Sequence, residues 1–442
     1  MFQTFRNAWK IEELRKRILF TLLILLIFRL GAAIVVPFID ASVLEASVSA
    51  SSGTIFSFFD MMTGGSFSNA TVFALGVTPY INASIIINLL QVVIPALEEM
   101  SKEGEEGRKK IEMITRYTAV GLSALLSVVY YFYVRRQGAL MYKTGFAGWF
   151  TAIVVVLCFT AGAMVIMWLG ERIDDKGVGS GISLLIFTGI VANLIRVFPQ
   201  IVIYFKMAAG TYEIAPGLAY PARPIYFVLI PLVIIMFFAM FVLIVVTNAA
   251  ERRIPIMYAK RVVGRKQYGG QNTHIPIKVN MTGVLPVIFA SALLSVPATI
   301  KDLFNIDTGG WAKFLGFFSS NSWGYAILYA LLIVGFNYFY TAVQYNPVEM
   351  ANNLRKNAGS IPGIRPGKPT SDFISKVISK ITLIGAIFLV LVAILPIIIS
   401  ITTGMNISLG GTSVLIIVGV ALEVSNNLES YMLMRHHKGF LN

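Results

Sequence analysis

Ten apolar stretches alternate with polar connections along the 442-residue chain. Most of them have the length of about twenty residues that a helix needs to cross a bilayer. They cover roughly residues 18–36, 71–95, 115–134, 149–169, 182–205, 225–247, 283–300, 324–345, 377–400 and 411–424. The pattern predicts an all-α polytopic membrane protein with ten transmembrane helices.

A shorter apolar segment, TIFSFFDMMTGGSF, follows the first stretch. Its apolar residues recur at helical spacing, and the pattern breaks at a pair of glycines. The residues are Ile55, Phe56, Phe59, Met62, Gly64 and Gly65. The segment is too short to span a bilayer, so it predicts either a half-inserted helix buried among other helices or an interfacial loop lying on lipid. The spacing does not decide between them.

Composition supports the membrane assignment and gives no sign of catalysis. The chain is 56% hydrophobic and only 13% charged, whereas about a quarter of the residues in soluble domains are charged. The single cysteine, Cys158, permits no disulfide within the chain, and the three histidines have no metal-binding spacing. Since there is no nucleotide-binding, hydrolase or metalloprotease motif, we expect neither an enzyme nor a bound cofactor or metal.

The net charge of +14 is explained first by membrane topology. Of the 36 basic residues, 27 lie in the terminal segments and in the connections on the same side of the predicted bundle, and 7 lie in the connections on the other side. The side richer in lysine and arginine is typically cytoplasmic. The asymmetry predicts that both termini are cytoplasmic. The connection 135–143 departs from this trend, because it places three basic residues on the outer side.

Two connections on the basic side are too long for simple turns. Residues 248–282 contain seven basic residues and one acidic residue, and residues 346–376 contain the Gly/Pro-rich sequence IPGIRPG. The alternation in IPIMYAKRVV favours an ordered hairpin. We expect these two loops to form a cytoplasmic docking surface.

Individual positions within the spans leave two interpretations open. Val77 and Ile81 are four residues apart, as are Ile186 and Ile190. Such spacing is typical of ordinary packing or lipid contact, and a hydrophobic constriction in a pore is the alternative. Arg29 lies in the middle of the first span. Snorkelling or a helix-packing hydrogen bond is the simpler interpretation, and an inward-facing partner for a polar cavity is the alternative.

The chain resembles the SecY/Sec61-alpha family of protein-conducting channel subunits from end to end. The block at 251–291 and the IPGIRPG element are the most specific to this family. The stretches that carry the resemblance are FRLG…VPFID (28–40), ALGVTPYINASIIINLL (74–90), KEGEEGRKKI (102–111), GVGSGISLLIFTGIVA (177–192), ERRIPIMYAKRVVGRKQYGGQNTHIPIKVNMTGVLPVIFAS (251–291), NPVEMANNL…IPGIRPGKPT (346–370) and GGTSVLIIVGVALE (410–423).

The resemblance implies a clamshell of two pseudosymmetric halves. Residues 1–205 would hold helices one to five, residues 206–424 helices six to ten, and residues 425–442 a cytoplasmic tail. Unfolded chains would cross between the halves or leave sideways into lipid, and a re-entrant plug at about 54–65 would close the outer funnel. The implied pore ring consists of Val77, Ile81, Ile186, Ile190, Ile288 and Ile416, and the plug contains the six residues of the short apolar segment.

The resemblance also implies the partners and the location. Arg252, Arg253 and Arg365 would contact the motor ATPase SecA or a translating ribosome, including its RNA. SecE and SecG would be fellow subunits in the cytoplasmic membrane of a bacterium, with secretory and membrane proteins as clients. The alternative function is a secondary transporter with inverted repeats. The scarcity of carboxylates within the spans weakens that alternative.

Overall fold

The computed structural model describes most of the chain. The described residues are 2–50, 60, 62–210, 212–215, 218–220, 223–258, 261–263, 266–268, 272–304, 310–318, 322–403 and 410–438. They are mainly helical, and each of the ten predicted apolar stretches coincides with a helix over all or most of its length. The prediction of an all-α membrane fold is therefore confirmed.

The first half of the chain consists of eight described helices followed by a small hairpin. The helices are α1 (Phe2–Lys10), α2 (Glu12–Gly31), α3 (Ala41–Ala50), α4 (Thr78–Val93), α5 (Pro95–Lys102), α6 (Glu105–Arg136), α7 (Gly145–Lys176) and α8 (Gly181–Ala209). The hairpin strands are β1 (Tyr212–Ala215) and β2 (Leu218–Tyr220).

The second half alternates long helices with strand-containing connections. The helices are α9 (Tyr226–Ala249), α10 (Leu285–Phe304), α11 (Gly310–Gly316), α12 (Trp323–Gln344), α13 (Pro347–Lys356), α14 (Lys368–Thr403) and α15 (Gly411–Lys438). The strands are β3 (Glu251–Tyr258), β4 (Arg261–Val263), β5 (Lys266–Tyr268), β6 (Asn272–Lys278) and β7 (Gly359–Ser360).

Six helical segments of the described chain are long and apolar enough to cross a membrane by themselves: α6, α7, α9, α12 with α13, α14 and α15. The pair α4 and α5 reaches this criterion together but is bent by 103°. The apolar parts of α8 and α10 are shorter, which is tolerated where a helix is surrounded by protein.

The second span begins later than the hydropathy pattern predicts. The apolar stretch starts at residue 71, but α4 starts at Thr78, because residues 72–77 form consecutive turns. Gly76 has a φ of +55°, which suits glycine. Pro79 lies in the first turn of α4, where its missing N–H costs no helical hydrogen bond. Hydropathy alone does not distinguish apolar turns from a helix.

The helices pack in two groups that meet along α15 and where α8 contacts α9. In the first group α6 packs against α4 and α7, and α7 packs against α8. In the second group α12 packs against α10 and α14. Helix α15 contacts α8 of the first group as well as α9 and α14 of the second. The last helix therefore joins the two groups.

The two termini lie at the same end of the bundle. Helix α1 packs against α15, and the Arg17 guanidinium lies 5.3 Å from the centroid of the Tyr431 ring. At the other end, isolated β-bridges join Val35 to Thr71 and Ile39 to Leu140.

The predicted hairpin after α9 is present. Strands β3 and β6 pair antiparallel, with Glu251 opposite Lys278 and Met257 opposite Asn272. Strand β7, from the connection after α13, pairs with the end of β3. Ile254, Ile256 and Ile361 are buried together beneath this sheet. The two long connections thus form one structural unit, which we call the loop platform (β3–β7 with the loop 361–367).

Candidate functional site

The six residues of the implied pore ring meet in one apolar cluster, which we call the central cluster. They come from four helices: α4 with the residue before it, α8, α10 and α15. Ile190 is 1% exposed, and Val77, Ile186 and Ile416 are also buried. Ile81 and Ile288 are partly buried against them. The structure therefore brings together residues from both helical groups that are up to 339 positions apart in sequence.

Helical periodicity explains how α8 contributes two residues. Ile186 and Ile190 are one turn apart, so both project from the same face of the helix. Val77 and Ile81 have the same spacing at the start of α4, where the Ile81 amide donates to the Val77 carbonyl. The sequence alone did not show whether these spacings reflect packing, lipid contact or a constriction in a pore. In the structure, both pairs face the central cluster rather than lipid.

The end of the implied plug lies against the central cluster. Met62 is buried in it, and a small cavity is lined by Met62, Val77, Ile81 and Ile186 among other residues. Ile55, Phe56 and Phe59 lie outside the described residues. The short apolar segment was expected either to be buried among helices or to lie on lipid as a loop. Its described part is buried among helices.

Gly189 on α8 and Gly64 in the segment let the two backbones approach closely. A Cβ at Gly189 of α8 would lie 2.2 Å from the carbonyl oxygen of Met62. Gly64 and Gly65 have φ values of +68° and +87°, in the left-handed region that favours glycine. The backbone of the segment therefore rests directly on α8, next to Ile190.

Polar contacts fix the rest of the segment. The Asp60 carboxylate accepts a hydrogen bond from the Ser68 amide at 2.7 Å. The hydroxyl of Tyr130 on α6 donates to the carbonyl of Phe67 at 2.5 Å. The Gly65 amide donates to the Asp60 carbonyl at 2.9 Å. The described part of this segment, residues 60 and 62–68, is thus the end of a helix at Thr63 followed by a turn that folds back on it, and we call it the loop 60–68.

Arg29 faces inward rather than snorkelling. Its Nη1 atom lies 2.7 Å from the place that a Cβ would occupy at Gly64. The guanidinium therefore sits between α2 and the loop 60–68, at the level of Gly189. Of the simpler interpretation, snorkelling is wrong here, because the loop supplies a protein surface in the middle of the bundle that the hydropathy pattern does not reveal.

The three residues implied in docking all lie on the loop platform and are exposed. Arg252 and Arg253 are in β3, opposite Ile277 and Pro276 of β6, and Arg253 pairs with Glu251 at 2.6 Å. Arg365 lies in the loop before α14, and its carbonyl accepts a hydrogen bond from the Thr370 hydroxyl at 2.9 Å. Gly363 and Gly367, both with positive φ, shape this loop.

Several residues of the central cluster were not predicted from the sequence. Phe28 and Phe73 stack with ring centroids 5.8 Å apart and are buried in the cluster, as is Leu185. Phe28 lies next to Arg29 in the FRLG motif, and Leu185 lies next to Ile186. In spans that are apolar throughout, a residue that faces the cluster and one that faces lipid have the same hydropathy, so no signal separated them.

Comparisons with known proteins identify the family. A SecY family profile matches residues 71–425. The protein translocase subunit SecY of Thermotoga maritima is 41% identical over all of this chain and 98% of its own length. The corresponding subunits of Streptomyces coelicolor and Bacillus subtilis are 42% and 41% identical, with both chains fully covered.

Solved structures show the same fold. A structure described as that of a protein conducting channel matches with a TM-score of 0.59 at 20% identity, over 94% of this chain and 92% of the other. Sec61 in a canine ribosome–channel complex matches with a TM-score of 0.54 at 19% identity, over the same shares. The secondary-transporter alternative has no support among these matches. The chain belongs to the SecY family and is a protein-conducting channel subunit with multiple membrane-spanning helices.

Proposed function

We propose that the central cluster is the seal through which the translocating polypeptide passes. The observation that carries this proposal is the convergence of six aliphatic side chains from α4, α8, α10 and α15 at one place in the bundle. We call these six side chains, which are those of the implied pore ring, the collar. A narrow apolar collar excludes water and ions by dewetting. It also offers a moving chain no hydrogen bonds that would hold it in place.

The segment at about 54–65 acts as the plug. Met62 fills the space beside Val77 and Ile186, and the backbone of the loop rests on Gly189. Translocation requires this segment to leave its place, and it then loses the contacts of Met62 in the central cluster and the close packing of its backbone on α8. One solved relative is described as having a plug domain that stabilises the closed state and maintains a membrane seal.

The two halves of the clamshell, residues 1–205 and 206–424, separate to open the channel. The six residues of the collar come from both halves: Val77, Ile81, Ile186 and Ile190 belong to the first half, and Ile288 and Ile416 belong to the second. Separation therefore widens it. An apolar segment of a client leaves sideways between α4 and α6 on one side and α10 and α12 on the other, by its own partition into lipid.

The loop platform and the termini face the cytoplasm, where SecA or the ribosome supplies the driving force. The exposed Arg252, Arg253 and Arg365 bind acidic side chains of the motor or phosphates of ribosomal RNA. SecE and SecG complete the channel. Two solved relatives are described as ribosome-bound complexes, which supports this orientation of the platform.

Import into proteoliposomes tests the docking role. The vesicles contain this chain with SecE and SecG, and the readout is protease protection of a secretory precursor, with SecA and ATP added or withheld. We expect import to need both, and Arg365→Glu to abolish most of it. Arg365→Lys keeps the charge and serves as the matched control.

Two outcomes of this import experiment would contradict different parts of the proposal. Normal ATP-driven import by the Arg365→Glu chain would contradict the docking role while leaving the conduit intact. No import by the unaltered chain, despite an assembled complex and an active motor, would contradict its role as the general secretory conduit.

A further inference from the structure

The connection between α6 and α7 carries a basic turn at the end of the bundle opposite the termini. Helix α6 ends at Arg136, and a tight turn follows in which the Gly138 amide donates to the Arg135 carbonyl. Arg135, Arg136 and Lys143 are all exposed. The Nζ of Lys143 lies 3.6 Å from the place of a Cβ at Gly138, so the lysine folds back over the turn.

In the part of the chain that the structure describes, these cations form no ion pair with a carboxylate. The carboxylate that the fold brings near is that of Asp40, whose amide donates to the Ala139 carbonyl at 2.8 Å. The Ser42 hydroxyl and amide donate to this carboxylate at 2.6 and 3.0 Å and lower its pKa. Asp40 is therefore already engaged by its own chain.

The turn is held rigidly in place. Ile39 and Leu140 form a β-bridge, and the Met141 amide donates to the Phe38 carbonyl at 3.1 Å. Phe38 has a φ of +69°, a costly conformation for a residue other than glycine, which persists only where its surroundings determine it. Its ring contacts Tyr142 and Phe150 edge-on, at 6.0 and 6.3 Å between centroids.

Large apolar side chains surround the basic turn and continue down one face of α7. Phe146 is 89% exposed and Trp149 is 74% exposed. Phe150, Ile153 and Leu157 follow at helical spacing and are exposed as well. In a membrane-spanning helix such a face lies in lipid, and aromatic residues at its end mark the level of the headgroups. The basic turn is thus at headgroup level.

We propose that this surface, which we call the headgroup site (Arg135, Arg136, Lys143, Tyr142, Phe146 and Trp149), binds anionic phospholipids. The three cations attract the phosphate groups, and the aromatic rings lie among the upper parts of the acyl chains. Basic residues here oppose the usual charge bias of membrane topology. A bound anionic headgroup neutralises that charge where the protein does not.

Quenching of Trp149 by brominated lipids tests the proposal. The full-length chain is placed in nanodiscs that contain brominated phosphatidylglycerol or brominated phosphatidylcholine at equal mole fraction. Subtracting the signal of the Trp149→Phe variant isolates this tryptophan. We expect stronger quenching by phosphatidylglycerol. Replacing all three cations, in Arg135→Gln/Arg136→Gln/Lys143→Gln, removes the preference but not the quenching by phosphatidylcholine.

A matched control exists at the other end of the same helix. Arg108→Gln/Lys109→Gln/Lys110→Gln also removes three cations from α6, and it leaves the preference at Trp149 unchanged. If the triple variant of the turn fails to fold, Lys143→Gln alone serves, with an expected loss of about fivefold in the preference for one charge near the surface.

Three outcomes would overturn the proposal. Equal quenching by both lipids would mean an aromatic anchor without headgroup selection. A preference that persists in the triple variant would place its source elsewhere. Weak quenching by either lipid would mean that protein covers this face, and an acidic protein partner would then be the better candidate.

Discussion

At the residue scale, two neighbours on α8 have different tasks. Gly189 makes room for the backbone of the loop 60–68, and Ile190 is buried in the central cluster. A side chain at the first position would push the loop away, and a polar side chain at the second would admit water. Substitutions at these adjacent positions therefore test the plug and the seal separately.

Ile190→Asn is expected to hydrate the collar. An amide in this apolar cluster lacks hydrogen-bond partners unless water enters, and burying it unpaired costs about 1–3 kcal/mol. Resting ion conductance of reconstituted channels should rise severalfold, and precursors with weak signal sequences should be imported better. Ile190→Leu keeps the volume and polarity and should leave the conductance low. An unchanged conductance in the asparagine variant would contradict the place of Ile190 in the seal.

Gly189→Ala is expected to displace the loop without making the collar polar. The new Cβ would meet the Met62 carbonyl oxygen at 2.2 Å, and backbone on both sides leaves little room to adjust. We expect a raised ion leak and faster proteolysis near residue 62. Gly121→Ala on α6 is the matched control, because nothing lies within 4 Å of its added Cβ. If the two alanine variants leak equally little, the close contact between the loop and α8 is not what holds the plug.

Residue roles were only partly predictable. The four-residue spacing of Ile186 and Ile190 placed both on one face of α8, but it could not say whether that face meets lipid or protein. The burial of Arg29 against Gly64 depends on a loop that approaches α2 from another part of the chain. Hydropathy is a local property, whereas this contact is set by tertiary packing.

At the scale of elements, the long apolar helices followed from the sequence because their length and composition have few alternatives. The hairpin of β3 and β6 was also predictable from its alternating residues. Helix α3 was not, because the sequence ASVLEASVSA lies in a connection with no clear amphipathic pattern. The late start of α4 depends on Gly76 and Pro79, which act on the backbone and leave hydropathy unchanged.

One polar network joins three elements of the second group. Asn337 on α12 accepts a hydrogen bond from the Thr282 hydroxyl at 2.6 Å and donates one to the Thr382 carbonyl of α14 at 2.9 Å. Thr282 lies just before α10, and both Asn337 and Thr382 are buried. The network therefore attaches the start of α10 to α12 and α14. We propose that α10 lines the sideways exit.

Asn337→Ala is expected to destabilise the second group. A hydrogen bond between membrane helices contributes on average less than about 1 kcal/mol, and this substitution removes two such bonds, so we expect the unfolding free energy to fall by about 1 kcal/mol. Thermal unfolding in detergent measures this loss. Gly335→Ala on the same helix, with open space around its Cβ, should be neutral or slightly stabilising. Equal stability of the two variants would show that the network contributes nothing.

At the scale of the whole molecule, the two helical groups meet where the collar lies. Helix α15 contributes Ile416 to the collar and packs against α8, α9 and α14. In the proposed function, opening the channel changes the contacts that α15 and α9 make with α8, while each group keeps its own core. Local sequence patterns could not predict this meeting point, because it joins residues from opposite ends of the chain; the family resemblance implied it.

The most direct test of the seal is disulfide crosslinking to a stalled precursor. The chain has a single cysteine, so Cys158→Ala gives a clean background. Three variants each add one cysteine to this background. Ile81→Cys and Ile288→Cys lie in the collar, and Leu157→Cys lies on the exposed face of α7, where the side chain is 62% exposed. A precursor with one cysteine is stopped midway by a folded domain at its C-terminus.

We expect crosslinks from both collar positions, only while the precursor is stalled, and none from position 157. Crosslinks that favour position 157, or none from either collar position although the precursor is stalled, would contradict the passage of the polypeptide through the central cluster.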